Sequence, residues 1–173
     1  MAIRMAKSGK VAVATLFLFA AASTSTAAAV ENDRSSNRLG TWTWYNHNSG
    51  KCLEIRGGGT ADGAGAVQWG CDGSAWQLWT NTNGGTLTEI RNGNTGKCLE
   101  VFSGASADGA PVGQWSCNGA NWQKWRVQSN GDGTYHMTNH NSGKCLEVRG
   151  GGTADGAGVV QWSCNGANWQ KWK

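Results

Sequence analysis

The chain has 173 residues, with eleven Trp, 27 Gly, six Cys, one Pro and a formal charge of +4. Three of its 15 basic residues (Arg4, Lys7 and Lys10) lie in the first ten positions, so the rest of the chain sets 12 basic against 11 acidic residues. A nucleic-acid binder needs a basic patch that releases counterions; none is present, and no nucleic-acid partner is expected.

In chain order, residues 1–29 read as a secretory signal peptide. Arg4, Lys7 and Lys10 form a positive start. Val11 to Ala22 is apolar apart from Thr15, and Ala27-Ala28-Ala29 supplies small residues for cleavage near Ala29–Val30. A membrane span needs about 20 apolar residues, and this run is shorter. The expectation is a secreted, extracellular protein with no membrane span after cleavage. Residues 30–40 are polar and short and read as a flexible leader. The remaining length suits one domain, at 41–173.

That domain says one sentence three times. Asn48 to Trp79 and Asn141 to Trp172 match at 25 of 32 positions, and Asn94 to Trp125 is a looser copy. Each copy carries G-K-C-L-E, then Q-W-x-C, then W-Q-x-W. The units run at about 41–85, 86–133 and 134–173. A solenoid needs atypical polar caps at its ends. Here the last unit is the most regular, which favours units closed on one another.

Aliphatic residues are scarce beyond the signal: six Leu, two Ile and one Phe accompany all eleven Trp. Such a chain must bury large aromatics or be stapled. The cysteines Cys52, Cys71, Cys98, Cys117, Cys145 and Cys164 fall 19 positions apart within each unit. In a secreted chain this reads as a disulfide framework. Treating the units alike gives 52–71, 98–117 and 145–164. There is no C-x-x-C, and only His47, His136 and His140 could join a metal site. Neither a metal nor a cofactor is expected.

Within each unit the local signals are for short strands punctuated by Gly and Asn. Trp42 to His47 is echoed by Thr86 to Arg91 and Thr134 to Asn139. Lys-Cys-Leu-Glu-Ile/Val follows, at 51–55, 97–101 and 144–148. Then come 67–69, 113–115 and 159–162, and last Trp-Gln-x-Trp at 76–79, 122–125 and 169–172. Four strands in each of three units give about twelve. The links Asn81–Gly85 and Asn130–Gly133 read as turns between units.

The three motifs in triplicate, with matched Cys pairs, resemble the ricin-type lectin family, especially modules of secreted actinobacterial proteins. The resemblance covers Thr41 to Lys173. It implies an all-β fold, a β-trefoil of three four-stranded units, with up to three shallow sugar pockets, at most one in each unit. It places the family's carboxylate on Glu54, Glu100 and Glu147. The stacking aromatic falls on Trp69, Trp115 and Trp162. Gln77, Gln123 and Gln170 would support the carboxylate, and Trp79, Trp125 and Trp172 would be core. Recognition of a sugar needs such a pair: hydrogen-bonding groups for its hydroxyl edge and an aromatic platform for its C–H face.

Three departures from the family pattern stand out. The carboxylate is Glu rather than Asp in every copy. The position two before the stacking Trp is Val67, Gly113 and Val160. The residue before the glutamine is Trp76, Trp122 and Trp169 in place of Asn. If this stretch is extended, Gln77 and Trp79 point inward and Trp76 outward. Each pocket would then rest on stacking between two aromatics. The middle unit is the odd one, with Phe102 where Arg56 and Arg149 stand in the others and Gly104-Ala105 for Gly58-Gly59.

The expected function is carbohydrate binding without catalysis, by a monomer. Two alternatives stay open. One is a trefoil used for protein contact. The other is a glycoside hydrolase built on Glu54 with Asp62 or Glu147 with Asp155, although 41–173 leaves no room for a separate catalytic domain. No G-x-S-x-G signature is present.

Overall fold

The structure is a computed structural model that describes residues 40–82 and 87–173. The expected signal peptide, residues 30–39 of the expected leader and residues 83–86 of the first link lie outside the described residues. Eleven short strands follow one another: β1 (Thr41–Trp42), β2 (Cys52–Ile55), β3 (Ala66–Trp69), β4 (Trp79–Asn81), β5 (Leu87–Asn92), β6 (Cys98–Val101), β7 (Val112–Trp115), β8 (Lys124–Ser129), β9 (Tyr135–Asn139), β10 (Cys145–Val148) and β11 (Val159–Trp162).

All pairing is antiparallel. Strands β1, β4, β5, β8 and β9 form a continuous ladder. The final residues close it into a ring. Trp172 bridges both Asn46 and Tyr135, and Tyr45 and Lys173 exchange two backbone hydrogen bonds of 2.9 Å. Closure leaves the barrel no free edge among the described residues. Three hairpins cap it, β2–β3, β6–β7 and β10–β11, in one shared register. Cys52 faces Trp69 and Glu54 faces Val67. The same pairs recur as Cys98 with Trp115 and Glu100 with Gly113, then as Cys145 with Trp162 and Glu147 with Val160. The fold is a β-trefoil with one disulfide per repeat: Cys52–Cys71, Cys98–Cys117 and Cys145–Cys164.

The core answers the shortage of aliphatics. Trp79, Trp125 and Trp172 are fully buried. Each indole N–H donates to the carbonyl of Leu53, Leu99 or Leu146 in its own repeat, at 2.9, 2.8 and 3.1 Å. A buried indole removes about 150–250 Å² from water, about 4–6 kcal/mol gross. Its one polar atom must be bonded for that gain to survive. Ile55, Val101 and Val148, and Trp44, Ile90 and Met137, join these rings in one buried cluster.

The three repeats are interlocked in a cycle. Gln68 Nε2 donates to the carbonyls of Gly152 and Ala154 in the third repeat, at 2.8 and 3.0 Å. Gln114 does the same to Gly59 and Ala61, and Gln161 to Ala105 and Ala107. The aspartate of the T/S-A-D-G loop follows the same rotation. Lys51 pairs with Asp155 (2.5 Å), Lys97 with Asp62 (2.5 Å) and Lys144 with Asp108 (2.6 Å).

One sequence expectation needs correction. Trp-Gln-x-Trp is not a strand throughout. Ala75–Gln77, Asn121–Gln123 and Asn168–Gln170 are single 3₁₀ turns. The reason is a competing partner for the backbone. Asn92, Asn139 and Asn46 each reach from the next repeat in the cycle to bond the carbonyl of Trp76, Trp122 or Trp169. A carbonyl satisfied by a side chain does not need a ladder neighbour. Strand pairing resumes at Trp79 and Lys124, and in the third repeat only as the bridges of Trp172.

Candidate functional site

Side chains alternate across a strand. With Leu53 and Ile55 committed to the core, Cys52 and Glu54 of β2 share the outer face with Val67 and Trp69 of β3. Glu54, Glu100 and Glu147 are nonetheless only 2–3 % exposed. They are sunk beneath the segment that the disulfide folds back over the hairpin.

That segment carries the glutamine. Gln77 Nε2 donates to Glu54 Oε2 at 2.9 Å and to the Gly70 carbonyl at 2.9 Å, while its Oε1 accepts from the backbone N–H of Asp72 at 3.0 Å. Gln123 and Gln170 repeat all three bonds, holding Glu100 and Glu147 at 2.8 Å. The amide is therefore spent on protein partners. It is a brace that fixes one carboxylate oxygen and orients the other. Burial pushes the Glu100 carboxyl above its ordinary range, against the opposing pull of hydrogen bonds from Gln123 and Trp122, and the charge of Asp62 adds to the rise.

Two tryptophans flank each carboxylate. Trp69, Trp115 and Trp162 are 44, 42 and 40 % exposed, a large apolar area to leave in water. The tip of each ring lies over a glycine of the neighbouring repeat's T/S-A-D-G loop: Gly156, Gly63 and Gly109 respectively. The candidate pocket thus sits at a seam between repeats. Trp76, Trp122 and Trp169 are half-buried rather than fully outward, because the turn lays them on the backbone of Gly58, Gly104 and Gly151. A Cβ at Gly58 would fall 2.8 Å from Trp76 Cε3, and its φ of +67° also requires glycine. The same double constraint holds at Gly104 and Gly151.

Sequence reasoning missed what the loop aspartates do. Asp62 accepts from Lys97 Nζ and from both the N–H and Oγ of Ser116, all in the next repeat. Asp108 makes the equivalent bonds to Ser163, and Asp155 accepts the N–H of Gly70. Hydrogen bonding from Lys97, Lys144 and Lys51 holds all three carboxyls below their usual range. These aspartates fasten the strand end that carries each exposed Trp. The signal was there in the T/S-A-D-G of every copy; the partner lay in another copy. A cleft of about 210 Å³ opens elsewhere, beside the third disulfide, lined by Asn130, His136, Lys171 and Gln170 but not by Trp162 or Glu147. His136 lies within 2.6 Å of Asn130 Oδ1, and His140 within 3.2 Å of Arg126, both at the surface.

The fold and the triplicate motifs agree with comparison to known proteins. A ricin-type beta-trefoil lectin domain model matches residues 41–172. The designed three-fold symmetric protein ThreeFoil is 34 % identical, with 77 % of this chain and 96 % of that one covered and a TM-score of 0.76. The exo-beta-1,3-galactanase 1,3Gal43A of Clostridium thermocellum is also 34 % identical at TM-score 0.76, covering 79 % of this chain but only 30 % of that one. The Macrolepiota procera ricin B-like lectin, solved with lactose, is similar in fold at 18 % identity, 80 % and 96 % coverage and TM-score 0.69. A search of curated protein sequences finds no match. On the matched span and the observed fold, the chain belongs to the ricin-type β-trefoil lectin family.

Proposed function

We propose that this is a secreted, non-catalytic carbohydrate-binding protein with three shallow sites. The sites are Glu54 with Trp69 and Trp76, Glu100 with Trp115 and Trp122, and Glu147 with Trp162 and Trp169. Gln77, Gln123 and Gln170 position the carboxylates. The observation that carries this reading is the triplicate pairing of a braced, nearly buried carboxylate with a tryptophan exposed by 40 % or more. The exposed face of the indole adds nothing to the buried core. A sugar gains hydrogen bonds to one group and an apolar platform from the other.

The extra methylene of Glu over Asp is consistent with a carboxylate reached from deep in the wall, and the half-buried second Trp narrows the mouth. A site with few hydrogen-bonding groups binds weakly alone. Three on one rigid scaffold raise avidity on a repeating polysaccharide without any new contact. Hydrolysis would need a second free carboxylate beside the first. Asp62, Asp108 and Asp155 are engaged by lysines, and Asp62 and Asp108 by serines as well. Three disulfides fit an oxidising compartment and the signal-like residues 1–29.

A glycan and polysaccharide array tests the reading. Binding to at least one sugar, lost in Trp69→Ala/Trp115→Ala/Trp162→Ala with the fold intact, is expected. Failure of the unaltered protein to bind any glycan would remove it. Release of reducing sugar from the bound polysaccharide would replace it with an enzyme.

A further inference from the structure

The three sites are not equivalent, and one coupled pair of residues separates the middle site from the other two. Arg56 and Arg149 stand where the middle repeat has Phe102, and Val67 and Val160 stand where it has Gly113. The structure puts both changes in one place. A Cβ at Gly113 would fall 2.2 Å from Cζ of Phe102. The phenyl ring and the Ala64 carbonyl, which would lie 2.4 Å from the same Cβ, together take the room that a valine side chain would need, so Phe102 is accommodated by the glycine.

The arginines do something else. Arg56 and Arg149 open the 3₁₀ turns that follow β2 and β10, two residues past Glu54 and Glu147. Arg56 Nη2 donates to the Gly156 carbonyl at 3.2 Å, and Arg149 Nη2 to Gly109 at 3.2 Å. These are the same glycines that lie under the tips of Trp69 and Trp162. Guanidinium and exposed indole therefore flank one glycine in sites one and three. At the equivalent Gly63 of the middle site the Trp115 ring is the one neighbour that a Cβ would meet within 4 Å, and Phe102 offers no hydrogen bond to that glycine's carbonyl.

Each arginine makes a single hydrogen bond and no ion pair among the described residues. The nearby loop aspartates are paired with Lys51 and Lys144 instead, and Glu54 and Glu147 are bonded to glutamines. A guanidinium offers five donors in a planar fork. Both residues are exposed, so most of those donors face solvent at the lip of a pocket with an aromatic floor.

We propose that Arg56 and Arg149 make the first and third sites selective for a sugar bearing a carboxylate, a uronic acid, next to or on the stacked residue. The middle site, with Phe102 over Gly113, takes the neutral sugar alone. This inference rests on the sugar-binding reading above. It divides the three sites into two acidic-sugar sites and one neutral site, a pattern suited to a polysaccharide in which only some residues are oxidised.

The test uses the mature protein and uronic-acid polysaccharides (pectate, alginate and glucuronoxylan), each measured before and after carboxyl reduction to the neutral polymer. Trp115→Ala isolates the outer sites; Trp69→Ala/Trp162→Ala isolates the middle one. The outer sites are expected to prefer at least one acidic polymer over its reduced form by roughly tenfold or more, the scale of one charge-assisted bidentate contact. The middle site is expected to show a ratio near one. Arg56→Gln/Arg149→Gln should collapse the outer ratio. Phe102→Arg, which leaves Gly113 and its close approach to the Ala64 carbonyl untouched, should raise the middle ratio to the outer value, a gain that a folding defect cannot mimic. Equal binding of acidic and reduced polymers by the outer sites overturns the proposal while leaving the lectin reading in place. Loss of binding to every polymer and every neutral glycan by the unaltered protein overturns the lectin reading itself. An equal arginine-dependent preference for dextran sulfate would show general anion attraction and also overturn it.

Discussion

Gln77→Ala removes the brace of the first site without touching the core tryptophans. Three groups lose their partner: Glu54 Oε2, the Gly70 carbonyl and the Asp72 N–H. The bond to the carboxylate is charge-assisted and contributes about 1.5–3 kcal/mol; the two backbone bonds contribute about 0.5–1.5 kcal/mol each. Water entering the vacated space recovers part of this, because the wall there is polar. The expected loss is about 2–4 kcal/mol. For a domain of this size that lowers Tm by roughly 6–15 °C. Urea unfolding at neutral pH, with disulfides intact, measures it, and the slope should stay unchanged. The sugar affinity of site one should fall in the same variant while the other two sites are unaffected. A loss under about 0.5 kcal/mol would mean that the carboxylate does not depend on the amide, and the argument for a prearranged site would fail.

Other outcomes follow from single features. Gly58→Ala meets both a φ of +67° and Trp76 Cε3 at 2.8 Å, so calorimetry should show a loss of about 1–3 kcal/mol. Ser103 is the one described non-glycine residue with positive φ, +57°, where the outer repeats have Gly57 and Gly150; Ser103→Gly should stabilise the protein by about 0.5–1 kcal/mol in the same assay. Cys52→Ala/Cys71→Ala should cost about 2–4 kcal/mol and weaken site one, because the bridge holds Gln77 over Glu54. The middle site isolated by Trp69→Ala/Trp162→Ala should lose sugar as pH falls through a value above the ordinary carboxylate range, since Glu100 is raised by burial. The stability linkage has the opposite sign: the contribution of Glu100 is fully present below its unfolded pKa and is lost as pH rises through its raised folded value. Asp62, Asp108 and Asp155, held low by their lysines, contribute stability above the unfolded pKa that is lost as pH falls through their folded values.

Much of the architecture was legible because it is repeated. Equal Cys spacing within units named the disulfides, and a repeat that runs on to Trp172 pointed to closure. The 3₁₀ turn at Trp76–Gln77 was hidden by its own burial pattern: Gln77 and Trp79 are both fully buried, which mimics the alternation of a strand. What set the turn was Asn92 in the next repeat, a contact that no local window contains. The same holds at the site. Glu54 and Trp69 stood out by position. The roles of Asp62 and Asp155 depend on partners about 35 and 104 positions away. Phe102 and Gly113 were visible as two separate departures; only the packing shows that each accommodates the other.

The central claim is that the exposed tryptophans are platforms and not packing. Isothermal titration of Trp69→Ala/Trp115→Ala/Trp162→Ala against the best polysaccharide found by array tests it most directly. Each lost stacking anchor should cost about 2 kcal/mol or more of site affinity, so no heat should be detectable at concentrations that saturate the unaltered protein. Tm should stay within a few degrees, because these rings are already 40–44 % exposed. Unchanged binding, or a collapse of the fold with the binding, would contradict the account.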